Sequence, residues 1–414
     1  MTISRRVFVK AGALGLVSLG AEAPFIDRAV YALQRSDRAK GKTLVLLFQR
    51  GAVDGLSMVV PVADPWYWRE RSRIAVPREQ LLDLNGEFAL HPKLAPLKSL
   101  WDRGDLGVIP AVGSPALTRS HFDAQDYMES GTPNAKSTPD GWANRMLARH
   151  VAEHQATPFR AVAFGPQLPR TLVGGSAALA ISDLRTFGLR DARRDGNDRL
   201  TRAFESLYQG SATGLVASSS AEGFEAIRML RHANPAAQVP AHGATYPRGQ
   251  FGQSLQQIAQ LIKADLGMEV AFADMGGWDT HVNQGAGDGQ LAARLNEFAL
   301  AIEAFTTDLG PRMRDVVVLT MSEFGRTVKE NGTAGTDHGH ATTMFVLGGG
   351  VAGGKVHGRW PGLSPEQRHE GRDLAVTTDY RDLFSEVATG HLGPMELEGI
   401  FPGHRAALPL GLFG

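Results

Sequence analysis

The residues best suited to chemistry gather between Asp315 and His340, in the stretch DVVVLTMSEFGRTVKENGTAGTDHGH. A strand of buried type, Asp315 to Met321, runs into a polar turn, Ser322-Glu323-Phe324-Gly325. A Gly-rich loop then delivers Asp337, His338 and His340. A second group, Asp279 and His281, sits in Gly276-Gly277-Trp278-Asp279-Thr280-His281, again directly after an apolar run. Imidazole and carboxylate without thiolate form a donor set for a divalent transition metal. A lone Asp or His in a loop is ordinarily a cap, a turn or a satisfied loop residue. Asp-x-His in one loop and Asp-His-x-His in another, both following buried strands, favour a metal centre over that bland reading.

Two further strand tips carry polar groups. Lys42 to Phe48 reads as a continuous apolar run of buried-strand type that ends in Gln49-Arg50-Gly51-Ala52-Val53-Asp54-Gly55, where the glycines should turn the chain and expose Asp54. Leu106 to Val112 leads into Thr118-Arg119-Ser120-His121-Phe122-Asp123, a loop followed by a helix start. Ser120 fits an N-cap there; the functional alternative is a hydroxyl or anion site at a helix N-terminus. His91, beside Pro92 and without a neighbouring ligand, reads as structural.

These groups need a scaffold that brings strand ends to one edge. The strand at Met268 to Ala273, an amphipathic helix marked by Leu291, Leu295, Phe298, Ile302, Phe305 and Leu309, and the strand at Val316 make a βαβ unit. That unit sets Asp279, His281 and Glu323 at the same sheet edge, where open α/β sheets bind ligands. Further elements are expected at Pro92–Arg103, Gly141–Glu153, Ser254–Leu266 and Thr378–His391 (helices) and at Phe159–Phe164 and Met344–Leu347 (strands). Between about 184 and 247 the chain turns Arg-rich and then Gly/Ser/Ala-rich, which reads as a solvated insertion or cap.

Composition narrows the function classes. Lys+Arg and Asp+Glu both number 43, so a net charge of zero gives no indication of a nucleic-acid partner. With no cysteine, neither disulfides nor thiolate metal sites can form. At the start, Ser4-Arg5-Arg6-Val7-Phe8-Val9-Lys10 precedes a short apolar run, Ala11 to Ala21. This is the pattern of a twin-arginine export signal, and the run falls short of the ~20 residues of a membrane span. Cleavage is expected after Ala23 or after Ala32, so residues 1–32 are set aside from the α/β domain at 42–414. The expected location is therefore periplasmic or secreted, with the twin-arginine machinery as a partner and no stable membrane span. Oligomeric state leaves no mark in the sequence.

The signal together with RGAVDGL, SHFDAQDYMESG, GGWDTH, SEFGRT and GTDHGH resembles the exported domain of unknown function 1501 family, over essentially the whole mature chain. That family is similar in turn to the alkaline phosphatase superfamily, with its sulfatases and cofactor-independent phosphoglycerate mutases. The resemblance implies a doubly wound, mostly parallel α/β sheet with helices on both faces and a metal centre at the strand C-termini. It implies Asp54 as a metal ligand, Ser120 as nucleophile, and Asp279 and His281 as ligands of one metal. Members commonly carry Ser/Ala-Asp-His-Gly where this chain has Ser322-Glu323-Phe324-Gly325, so Glu323 is expected to ligate directly while Phe324 fills the imidazole's place. Asp337, His338 and His340 complete the expected shell, and Arg326 is a candidate clamp for a tetrahedral anion. One or two divalent ions (Zn, Mn or Ca) acting on a small phosphate or sulfate ester follow from this. The alternative is an exported binding or assembly protein that has lost catalysis.

Overall fold

The computed structural model describes residues 15–16, 41–150, 157–187 and 215–414. The rest of the expected export signal, and residues 188–214 of the expected insertion, lie outside the described residues. Contacts divide the chain into two compact units. The smaller comprises residues 1–41, 139–239 and 257–272, and the larger 42–138, 240–256 and 273–414.

The larger unit is built on strands β1 (Thr43–Gln49) and β2 (Leu106–Gly113), helix α1 (His121–Ser130), residues 273–275 of strand β3 (Val270–Met275), helix α2 (Gln290–Leu309), and strands β4 (Val316–Met321) and β5 (Thr342–Gly348). β4 pairs in parallel with β1 over six residues, from Val316↔Thr43 to Met321↔Phe48. On its other side it pairs antiparallel with β5, which in turn runs antiparallel to β2. β2 pairs in parallel with Lys355–Val356 and Thr378–Asp379. The result is a mixed, mostly parallel sheet of the expected α/β class. Every residue of β1, β2 and β4 is buried, so helices and loops cover both faces.

The reversal at β5 matters for the site. A parallel neighbour would need a crossover of a dozen or more residues, usually a helix, carrying the chain to the opposite edge. Instead the segment 322–341 folds back on itself, so Glu323 and His338 stay at one edge. Gly325 and Gly339 make this possible. Gly325 N–H donates to His340 O and Gly339 N–H to Gly325 O, both at 2.8 Å. A Cβ at Gly325 would lie 1.9 Å from Ala341 O, and one at Gly339 2.4 Å from Arg326 C and O. No side chain fits between backbones at that approach.

In the smaller unit, Ala161–Phe164 pairs in parallel with Leu179–Ile181 and with the start of β3. Thr157 Oγ1 donates to Leu266 O at 2.7 Å, and Arg160 and His150 both bond Glu269. Among the described residues no helix is long and apolar enough to cross a membrane.

Candidate metal centre

Five chain segments arrive at the carboxyl edge of the larger unit's sheet. β1 ends beside β3, with Arg50 N–H donating to Met275 O, and β3 leads to Asp279 and His281. β4 leads to Glu323, the return loop brings His338, and β2 leads through residues 114–120 to α1, whose first residue is His121. The ligand atoms of His121, Asp279 and His338 all lie within 4.8 Å of one another. His121 Nε2 is 3.0 Å from His338 Nε2 and 3.6 Å from Asp279 Oδ2, and His338 Nε2 is 3.2 Å from Asp279 Oδ1. Ligands on a tetrahedral zinc with bonds of 2.0–2.1 Å stand about 3.3 Å apart, so the triad fits such an ion. His281 joins it, its Nε2 2.9 Å from His338 Nε2 and 3.0 Å from Asp279 Oδ1.

What turns these nitrogens inward is the set of acceptors behind them. His121 Nδ1 faces Glu323 Oε1 at 2.7 Å, His338 Nδ1 faces the Arg119 carbonyl at 2.9 Å, and His281 Nδ1 faces Asp337 Oδ1 at 3.2 Å. Carbonyls and carboxylates only accept, so each Nδ1 carries the hydrogen and donates it. In the neutral rings each Nε2 is then a bare lone pair. That of His281 also faces Arg326 Nη1 at 3.4 Å, but the lone pairs of His121 and His338 and the Asp279 carboxylate point at one another, and such a set is favoured by a cation among them. The arrangement of Nε2 toward the metal with Nδ1–H on an oxygen acceptor is the usual support of a metal-binding histidine.

The surroundings tune the donors. Glu323 raises the basicity of His121 against the effect of burial. For Glu323 itself, burial opposes ionisation, but His121, Gln125 and the Gly51 N–H outweigh it and hold the carboxyl below its usual range. Burial lowers the His338 pKa, which favours the neutral, ligating form. Asp279 stays ionised because Arg326, His281 and His338 outweigh its desolvation. Phe324 stacks on His121 with ring centroids 5.0 Å apart and packs against His338 at 5.1 Å, in a small apolar cluster with Ala52 and Ala124.

The expected ligands thus divide. Asp279, His281 and His338 converge, whereas Glu323, Asp337, Asp54 and His340 do not join the triad. Glu323 has a fully buried side chain, and its Oε1 accepts from His121, from Gln125 Nε2 (2.9 Å) and from Gly51 N–H (2.8 Å). It stands on the Nδ1 side of His121, away from the Nε2 atoms of the cluster where direct ligation was expected. Asp337 does the same for His281 and also accepts from Asn331 Nδ2 at 3.1 Å.

Asp54 is not exposed at its strand tip but fully buried. Its Oδ2 accepts from Arg71 at 2.6 Å and Gln284 at 2.7 Å. Burial works against its charge, yet Arg71, Ser57 and Gln284 keep its carboxyl below the ordinary range. His340 bends away from the cluster: its Nε2–H donates to Ser114 O at 2.8 Å and its ring lies 4.6 Å from that of His369.

Arg326, expected as an anion clamp, is fully buried. It donates to the carbonyls of Ala52, Thr336, Gly51 and Trp278, to Asp279 and to His281 Nε2, so it acts as a strut beneath the Asp279 carboxylate and the His281 ring. Ser120 occupies the N-cap position of α1, but its hydroxyl makes no cap bond and the residue is exposed. His91 is structural as expected: Nδ1 accepts from Lys93 N–H and Nε2 donates to Ala286 O. Sequence reasoning missed His121. Its signal was the histidine directly after a cap-type serine at a strand–loop–helix junction.

The model of the family described as Protein of unknown function (DUF1501) matches residues 105–393. No curated protein sequence matches the chain. Among solved structures, it is similar to the C-terminal periplasmic domain of EcEptC from Escherichia coli in complex with Zn, at 10% identity and a TM-score of 0.35, over 76% of this chain and 75% of that one. It is also similar to the phosphonate monoester hydrolase of Agrobacterium radiobacter, at 10% identity and a TM-score of 0.36, over 88% and 78%. A third is the alkaline phosphatase of Thermus thermophilus, at 13% identity and a TM-score of 0.29, over 69% and 60%.

Proposed function

We propose that this chain, which belongs to the DUF1501 family, is an exported metal-dependent hydrolase or transferase acting on a phosphate or sulfate ester. The observation that carries the reading is the convergence of His121 Nε2, His338 Nε2 and Asp279, with every imidazole Nδ1–H already committed to an oxygen acceptor. Three protein ligands leave a coordination position open, as catalytic rather than structural zinc sites do. A divalent ion held there would supply Lewis-acid polarisation and a lowered pKa for a bound hydroxyl or water.

The chain's own residues take defined roles in this reading. His121, Asp279 and His338 would hold the ion, and His281 stands beside them with its Nε2 also facing Arg326 Nη1 at 3.4 Å. Glu323, Asp337 and the Arg119 carbonyl fix the rings, Arg326 fixes Asp279, and Phe324 keeps water from the back of the site. Ser120, one residue before His121 and free of a capping bond, is the proposed nucleophile. The same reading includes export in folded form by the twin-arginine machinery to the periplasm or medium. Its support is Ser4 to Lys10 and the cysteine-free composition.

The test is turnover of a panel of phosphate and sulfate esters by metal-loaded protein and by Ser120→Ala. Turnover that needs metal and is lost in Ser120→Ala, with metal retained, supports the reading. Full metal occupancy with no turnover of any ester leaves the binding or assembly alternative in its place.

A further inference from the structure

A buried polar set adjoins the ligand loops, and the roles above leave it unexplained. Asp54, Ser57, Arg71, Thr280, Gln284 and Thr336 are each no more than 2% exposed. Gln284 is the hub. Its Nε2 donates to Asp54 Oδ2 at 2.7 Å and to Ser57 Oγ at 3.3 Å. Its Oε1 accepts from Thr280 Oγ1 at 2.8 Å and from Thr336 Oγ1 at 2.9 Å. The amide can sit only this way round. A carboxylate accepts and does not donate, and Arg71 donates to the same Asp54 oxygen at 2.6 Å. The amide nitrogen must therefore face Asp54, which leaves the amide oxygen for the two hydroxyls. Gln284 then makes all four hydrogen bonds open to its amide, and a buried polar group so fully paired fixes the geometry of what it joins.

What it joins is the pair of loops that carry the cluster. Thr280 stands between Asp279 and His281, and Thr336 directly precedes Asp337 and His338. The backbones meet there too: Thr336 N–H donates to Thr280 O at 3.2 Å and Gln284 N–H to Ala334 O at 2.9 Å. A Cβ at Gly335 would lie 2.3 Å from His281 O, so the two loops touch main chain to main chain. Apolar side chains of the same shape could fill this space at little cost in stability. What the amide adds is a fixed spacing between the loops.

Resting on the metal-centre reading above, we propose that Gln284 is a positioning residue of the metal centre. By holding Thr280 and Thr336 on one oxygen it sets Asp279 and His281 against His338, and Asp54 is the group that turns the amide.

The experiment measures zinc affinity of the full chain by chelator competition, and the visible absorption of the cobalt(II)-loaded protein. The variants are Gln284→Met, Thr280→Val and Thr336→Val, which keep the shape and remove the bonds, and Thr280→Ser and Thr336→Ser, which keep the hydroxyl. Zinc affinity is expected to fall about tenfold in Gln284→Met, the low end of the cost of losing a partner behind a ligand, and by less in each valine variant. The cobalt bands should change in the same three variants, and the two serine variants should match the parent in both readouts. A network that only stabilises the fold would lower the melting temperature of the apo-protein while folded protein kept the parent affinity and bands, and that result overturns the proposal. An equal loss in valine and serine variants assigns the effect to packing and overturns it as well. Should Gln284→Met not fold, the threonine variants decide alone. A parent chain that binds neither zinc nor cobalt overturns the metal reading itself, and this proposal with it.

Discussion

Replacing Glu323 by Gln separates orientation from ligation. Glu323 places one oxygen, Oε1, under three donors: His121 Nδ1 at 2.7 Å, Gln125 Nε2 at 2.9 Å and Gly51 N–H at 2.8 Å. A glutamine has the same shape and keeps that oxygen as an acceptor. Its amide nitrogen takes the place of Oε2 beside the Ser322 hydroxyl, which can turn to accept. The fold should survive, so what is lost is the negative charge behind His121. Losing the partner behind a ligating histidine typically weakens metal binding 10–100-fold, about 1.4–2.7 kcal/mol. Loss of a direct ligand should cost well beyond that. The assay is a chelator competition giving zinc affinity, paired with the acid limb of apo-protein stability.

The sign on the acid limb follows from the lowered Glu323 pKa. Its stabilisation is present above the ordinary value of 4.5 and is lost as pH falls through the folded value. The variant should lack that part of the limb. A change below twofold in affinity refutes the orienting role. A loss beyond about a thousandfold with the fold intact, well past the range for an orienting partner, restores direct ligation.

Three other outcomes are expected. His391 is buried with Nε2 on Thr43 O, and burial pushes its pKa down to about 4 from 6.5. Because the neutral form is favoured in the fold, stability falls by about 3 kcal/mol as pH drops from 6.5 to 4, and His391→Gln should flatten that stretch of a denaturation-versus-pH curve. Arg71→Met strands the buried Asp54 carboxylate and should cost about 3–5 kcal/mol in chemical denaturation, while the folded fraction keeps its metal because Asp54 lies outside the triad. Ser120→Ala should retain metal and lower turnover by at least about a hundredfold, as loss of a nucleophile requires; unchanged kcat assigns the attack to another group.

Much of the scaffold was legible because β1, β2 and β4 are buried on both faces and so read as unbroken apolar runs. The direction of β5 was not, since an apolar run carries no sign of which way it pairs. At the site, Asp279, His281 and His338 could be read from spacing, but the depth at which a carboxylate sits could not. Glu323 and Asp337 occupy the same loops as the ligands, and only the fold decides that they stand behind a ring. His338 and His340 would share a side in extended chain; a bend at His340 sends the second ring to Ser114. Asp54 was misjudged because Arg71 reaches it across a polar connection that has no periodic pattern. His121 was overshadowed by Ser120, whose cap-like setting explained the junction well enough to stop the search there.

The central claim is the triad, and metal content of natively purified protein measured beside His121→Ala and His340→Ala tests it most directly. The account predicts bound divalent metal in the parent chain, its loss in His121→Ala, and its retention in His340→Ala. Full occupancy in His121→Ala, or loss in His340→Ala with the fold intact, would contradict it.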